Sequence, residues 1–466
     1  MSRFNLDAIA GQAPSQEVEH AVRQARSLAW SDPESLHFEG KQAANLLEVS
    51  RDAVAQAIGV SREHIAFTSS TADAIRAILK SVRPSSVLYS PIERKAMTDA
   101  IADSGLPATA LTVDSDGRVD CQDLVEKLAT VNASPDPTAP HTQSPVAVFI
   151  QWANQEIGTV QELSALFTLI HETGAVLVVD ATSALGYLPI STVTSQWDYL
   201  VADSASWGGS RVATILGSAE PAEFPDTTSV AEAATAAVTL ESLLRGQPAQ
   251  SERLTGLRNK VESLVVSQFE QADLIRPAGN RLPQVVTFSI PYVDAEALAV
   301  ELDRQGVAIG SGSACASEVG VPSHVLAAIG RLTQGNVRVS LPIDCPDNAI
   351  DRLVELLPSA VERLTADLSS PPEAAADSGG VLVAELSTNI EIALELDERG
   401  QLCPHPVIEL AKAAKRLKAD AVIGITTDDP AALNDIPAWA RLQNATVMSQ
   451  ESADESGSTR FVVQLS

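Results

Sequence analysis

Basic residues are scarce in this chain: 32 Lys and Arg stand against 60 Asp and Glu, a formal net charge of −28. A surface so acidic repels nucleic acid and anionic lipid and favours solubility. Cysteine is scarce too. The four, Cys121, Cys315, Cys345 and Cys403, lie far apart with no CxxC pair. That argues against a zinc site or a disulfide scaffold and fits individual thiols in a cytoplasmic protein. HExxH, P-loop and GxGxxG signatures are missing, and no apolar run approaches the roughly 20 residues of a membrane span. The opening MSRFNLDAIAG has no apolar centre, so no secretory signal is expected.

What is present is enough for a real core: 466 residues, 45% of them hydrophobic. From about residue 45 to 220, apolar runs such as HIAFTSS, SVLYSPI, PVAVFIQWA, AVLVVDA, YLVADS and VATILGS alternate with amphipathic segments. Repeated units of this kind predict a parallel sheet covered on both faces, with ligands at the carboxyl ends of its strands. VNASPDPTAPHTQSP (131–145) reads as a surface loop. Two helices, SVAEAATAAVTLESLLRG and ERLTGLRNKVESLVVSQF, are expected after residue 230, followed by a smaller α+β region with strands VVTFSI and NVRVSL. ADLSSPPEAAADSGG has linker composition, and the rest of the chain reads strand, loop, helix, strand. The division expected is therefore 1–365, a linker at 366–387, and a small domain at 388–466.

Two cysteines stand out. Cys315 lies in GSGSACAS, whose small residues give it the character of a loop. Cys403 falls where the strand IEIALELD gives way to a helix, with Pro404 suited to the first helical turn. Val407, Ile408, Leu410, Ala411, Ala414 and Leu417 then form one apolar stripe. The unpaired N–H groups and positive dipole of a helix N-terminus favour thiolate, which is the nucleophile.

The stretches LDERGQLCPHPVIELAKAAK and TTDDPAALNDIPAWA resemble the TusA-type sulfur carriers, marked by CPxP after a strand exit. The resemblance implies a small two-layer α/β domain in which Cys403 carries sulfur as a persulfide. The preceding 365 residues resemble the cysteine desulfurases of the class V aminotransferases. Seven segments match in order, among them IAFTSSTADA, NQEIGTVQEL, VLVVDATSALG, GSGSACAS and NVRVSL. That resemblance implies a fold of the pyridoxal phosphate (PLP) transferase type I kind. It also implies a loop thiol, Cys315, that takes sulfur from the cofactor-bound substrate. Asp180 matches the carboxylate that keeps the pyridine nitrogen protonated. Arg338 matches the arginine that clamps the substrate carboxylate. Thr71 and Gln155 fall in matched cofactor and substrate segments.

Other positions depart from the family pattern. No lysine occurs between Lys127 and Lys260, and Ser206, in DSASWGGSR, stands where the PLP lysine belongs. A hydroxyl cannot form the Schiff base that holds the cofactor. Ala205 replaces the preceding histidine, and Asp203 replaces a serine that would bond the phosphate; a carboxylate there is repulsive by several kcal/mol when poorly solvated. Arg94 stands in place of the histidine that stacks on the ring. Ser183 replaces a glutamine that bonds the ring hydroxyl, and Gln155 an asparagine. The segment after residue 217 also lacks the RxGT element through which the partner subunit contacts phosphate. These departures converge on the cofactor and imply that PLP is not bound, and they suggest that Arg94 pairs with Asp203 inside the vacated pocket.

Three readings follow. The first is sulfur transfer by Cys403, and by Cys315 if it is a working station, fed by a donor protein such as a genuine cysteine desulfurase and emptied by an acceptor. A linker of about fifteen residues spans roughly 20 Å as a coil, which would let the two thiols meet. The second is an active PLP-dependent desulfurase fused to its carrier. The third is a non-catalytic adaptor that docks a desulfurase. The family's two-fold dimers leave homodimer and heterodimer both open.

Overall fold

The computed structural model describes residues 3–133, 144–192, 196–220, 224–311, 322–365, 392–402, 404–453 and 457–466. The chain begins with strand β1 (Phe4–Leu6) and helices α1 (Gln16–Leu28) and α2 (Phe38–Ile58). It then alternates through β2 (Ile65–Thr68), α3 (Thr71–Val82), β3 (Ser86–Tyr89), α4 (Lys95–Asp103), β4 (Ala108–Ala110) and α5 (Cys121–Ala133). β5 (Val146–Gln151), α6 (Leu163–His171), β6 (Val176–Asp180), β7 (Tyr199–Asp203) and β8 (Thr214–Ser218) complete the first layer.

These strands form a seven-stranded sheet in the order β2-β8-β7-β6-β5-β3-β4. It is parallel from β4 through β7, and β8 runs antiparallel to both its neighbours. The sheet is therefore mainly, not wholly, parallel. The apolar runs are explained by burial on two faces: in β5, Val148 and Ile150 enter one core while Ala147 and Phe149 enter the other.

α7 (Val230–Gln268) leads out of this layer. It corrects the expectation of two helices, because it runs unbroken for 39 residues with Pro248 inside it. Packing overrides the proline: Leu240 and Leu243 belong to the large sheet's core, Leu254 and Leu257 to that of the next layer. Near the proline, Gln247 Nε2 and Ser251 Oγ both donate to the carbonyl of Tyr187, at 2.9 and 2.6 Å.

The smaller α+β region comprises β9 (Asp273–Ile275), β10 (Val285–Ser289), α8 (Ala295–Arg304), β11 (Val307–Ser311), α9 (His324–Ala328), β12 (Asn336–Ser340) and α10 (Asp347–Thr365). Its sheet, β1-β11-β12-β10-β9, takes in the N-terminal strand. The carboxy-terminal region has β13 (Leu394–Asp397), α11 (His405–Arg416), β14 (Val422–Thr427), α12 (Ala432–Leu442), β15 (Thr446–Ser452) and β16 (Thr459–Gln464). Its sheet order is β13-β14-β16-β15, and both helices supply residues to one core, including Leu410, Ile436 and Trp439. That is a two-layer α/β unit. The linker at 366–387 lies outside the described residues, as does 134–143 of the expected surface loop. Among the described residues no helix is long and apolar enough to cross a membrane.

Candidate functional site

The carboxyl ends of β6 and β7 and the start of α3 converge, as the parallel-strand rule requires. Asp180 closes β6, Asp203 closes β7 and Thr71 opens α3. Into the space between them reaches Arg94, from the N-cap of α4. Its Nε donates to Asp180 Oδ2 at 2.6 Å, and its Nη2 to Thr182 Oγ1 at 2.8 Å and to Thr71 Oγ1 at 3.4 Å. Asp203 is 3.8 Å from Nη1. The expected partner of Arg94 was Asp203; the closer one is Asp180, because Asp203 instead caps the following turn by accepting from Ala205 N at 3.0 Å.

The electrostatics follow from burial. Desolvation works against the charge of Arg94, but Asp180, Asp203 and Glu93 outweigh it and hold its pKa above the ordinary value. Burial raises the pKa of Asp203, and Arg94 opposes the rise. Glu93, fully buried, is pushed up to about 8 by desolvation, with Asp180 adding to the shift. One of its oxygens accepts from the backbone N–H of Gln151 at 2.6 Å.

Ser206 sits in a short 3-10 turn, Ser204–Trp207. Its hydroxyl lies 2.9 Å from the carbonyl of Thr182 and 3.0 Å from that of Asp203, so it is spent on tying the β6 and β7 ends together. Gln155 and Ser183 approach at 3.5 Å. Arg338, on β12, is buried and its Nη2 donates to Asp7 Oδ1 at 2.8 Å. Gly310 permits that pairing, since a Cβ there would lie 2.9 Å from Asp7 Oδ1 and 3.0 Å from Arg338 Nη2.

Arg94, Gln155, Ser183, Asp203, Ser206 and Arg338 share one cavity of about 280 Å³ between the two layers. The structure thus brings the predicted positions Gln155, Ser206 and Arg338 together and joins Asp180 and Thr71 to them through Arg94. Sequence reasoning missed Thr182, Asp7 and Glu93. Thr182 stands between two quoted positions in DATSA and was open to detection; nothing local marks Asp7, which reaches Arg338 only through the pairing of β1 with β11. Cys315 and Cys403 lie outside the described residues. Of the others, Cys121 is exposed and Cys345 buried, the latter with its thiol pushed up to about 11 by desolvation. Among the described residues no cluster of three or more His, Cys, Asp or Glu could hold a metal.

A mainly parallel sheet with acidic strand ends around an interlayer cavity defines a doubly covered α/β protein of the PLP-transferase type I kind. The chain belongs to the class-V aminotransferase family, whose pattern matches residues 5–205 and 212–353; the sulfurtransferase TusA pattern matches 394–465. The first match breaks at 206–211, the stretch that opens with Ser206. Relatives include the cysteine desulfurase IscS of Dictyoglomus turgidum, 26% identical over 385 residues, covering 77% of this chain and 94% of that one. The cysteine desulfurase NifS of Azotobacter vinelandii is 27% identical over 390 residues, covering 78% and 94%. A solved NifS-like protein superposes with a TM-score of 0.67 at 22% identity, over 78% of this chain and all of that one, 100%. The apo cysteine desulfurase of Thermococcus onnurineus gives 0.63 at 18% identity, over 78% and 95%. These two likenesses concern the fold.

Proposed function

We propose that this chain traffics sulfur as a persulfide on Cys403, with Cys315 as a second station, and that its desulfurase-like domain works without PLP. The observation that carries this reading is the ion pair between Arg94 and Asp180. PLP would need the Asp180 carboxylate for its ring nitrogen, a lysine at position 206 and a phosphate cradle free of negative charge. The cavity instead has a guanidinium on Asp180, a serine hydroxyl bonded to two carbonyls, and the Asp203 carboxylate. The residues present do not fit that cofactor. Sulfur then comes from a separate donor protein, leaves to an acceptor, and the chain works in the cytoplasm as a homodimer or with a desulfurase as partner.

A second reading, an active desulfurase fused to its carrier, draws on the relatives, which are named cysteine desulfurases and are matched over 94% of their lengths. One preparation separates the two. The proposal expects colourless protein that releases no sulfide from L-cysteine when PLP is added; yellow protein with turnover establishes the second reading. Mass spectrometry after exposure to a persulfidated desulfurase then reports the stations. Sulfur is expected on Cys403, and a reduced yield in Cys315→Ala marks Cys315 as an intermediate. Labelling of Cys403 that ignores Cys315 reduces the large domain to an adaptor.

A further inference from the structure

The carboxy-terminal unit does not stand apart from the rest of the chain. Asp435, in the first turn of α12, is fully buried and accepts from Thr333 N at 2.7 Å and from Thr333 Oγ1 at 2.9 Å. Its neighbour Asn434 donates to the carbonyl of Arg331 at 2.6 Å, and Arg441, two turns on, to that of Gly330. Trp439, on the same helix, donates its indole N–H to Tyr292 Oη at 2.8 Å. Four side chains of one helix thus engage a single platform.

The platform is itself braced. Ile290 N donates to Gly335 O at 3.0 Å, joining the two loops that carry Tyr292 and Thr333. Gly335 has φ +59 and a Cβ there would come within 2.1 Å of the Ile290 carbonyl, so this junction admits only glycine. Arg331 anchors the second loop by pairing with Asp273 on β9 at 2.8 Å. Tyr292 takes φ +67, a strained value for a non-glycine residue, in the position from which its hydroxyl meets Trp439.

We infer that residues 290–293 and 330–335 form a dedicated docking platform for α12, so that the carrier unit is held in one pose instead of hanging on a flexible tether. β13 and β14 run parallel, so α11 and α12 start at the same end of the small sheet. The contacts run the length of α12, from Asn434 to Arg441, and Tyr292 shares a cavity with Ala411, Ala414, Lys415 and Leu417, so the carboxyl half of α11 is the part that lies beside the platform. Docking also occupies the α12 face, so an acceptor protein has to approach the unit elsewhere or displace it. This inference does not rest on the sulfur-transfer reading and survives its failure.

The test is hydrogen exchange by mass spectrometry on the full chain, with Asp435→Ala and, in the other domain, Thr333→Val combined with Tyr292→Phe. The expected result is amide exchange about tenfold faster in both 432–442 and 329–335, with peptides of the seven-stranded sheet unchanged. The Thr333→Val/Tyr292→Phe variant keeps the test decisive where Asp435→Ala fails to fold, since it leaves the small unit's own core intact. Unchanged exchange in α12 in that variant overturns the inference. So does small-angle scattering of the unaltered chain that fits only an extended, two-body particle.

Discussion

Arg94 and Asp180 form a 2.6 Å ion pair in which the carboxylate end of β6 is neutralised by the chain's own guanidinium. The Asp180 side chain is 2% exposed and that of Arg94 13%, so neither charge is well served by water alone. A buried charge left without its partner is costly, whereas replacing both partners together is far less so.

Arg94→Ala is therefore expected to destabilise the large domain by about 3–5 kcal/mol, the range for breaking a buried pair. Asp180→Leu in the same background should recover part of that loss, which a double-mutant cycle in urea unfolding measures. Additive losses would mean that the pair is not the source of the stability.

Building a PLP site around this cavity should require more than a lysine. Ser206→Lys alone is expected to stay colourless with added PLP, because Arg94 still holds Asp180. Ser206→Lys combined with Arg94→His and Asp203→Ser is expected to develop the near-visible absorption of lysine-bound PLP. Colour in the single variant would show that Arg94 is no barrier.

The two described cysteines should differ sharply in reactivity. Thiolate is the reactive form, and Cys345 is both buried and pushed up to about 11. Alkylation of the folded protein near neutral pH, read by peptide mass spectrometry, is expected at the exposed Cys121 and not at Cys345. Equal labelling of both would place Cys345 in a far more open environment.

Docking of α12 should depend on pH. Burial first, and the nearby Asp429, raise the pKa of Asp435 from 3.8 to about 6, against the hydrogen bonds from Thr333 and Asn434. A raised carboxyl pKa means that the docked state holds the proton more tightly than a solvated carboxyl does. Undocking, which takes away the cover of Thr333 and its loop, moves Asp435 towards that solvated value. The corresponding stabilisation is fully present below about 3.8 and is lost as pH rises through about 6. A shift of this size amounts to on the order of 2–3 kcal/mol. Small-angle scattering should show a more compact population at about pH 5 than at about pH 7.5, and Asp435→Asn should flatten the difference.

Much of this protein was legible in its sequence because its signals are local. Apolar runs bounded by turn residues marked β2, β3 and β5 to β8, since a strand buried on both faces has no polar side to show. Asp203 and Ser206 stood out as departures in DSASWGGSR, a stretch placed by the segments that match on either side of it. Local signals fail where distant packing decides. Pro248 reads as a helix break, yet α7 continues because its two halves are gripped by two different cores. The choice of Arg94 between two carboxylates depends on where strand ends meet. The same holds for Asp7 on Arg338 and Asp435 on Thr333, pairs separated by 331 and 102 residues. By itself the sequence determined the family, the order of its layers and the run without lysine between Lys127 and Lys260, because those are written in residue types. Only the tertiary structure decided which buried charges neutralise one another and that α12 is docked, because a charge taken from water must find its partner in space rather than along the chain.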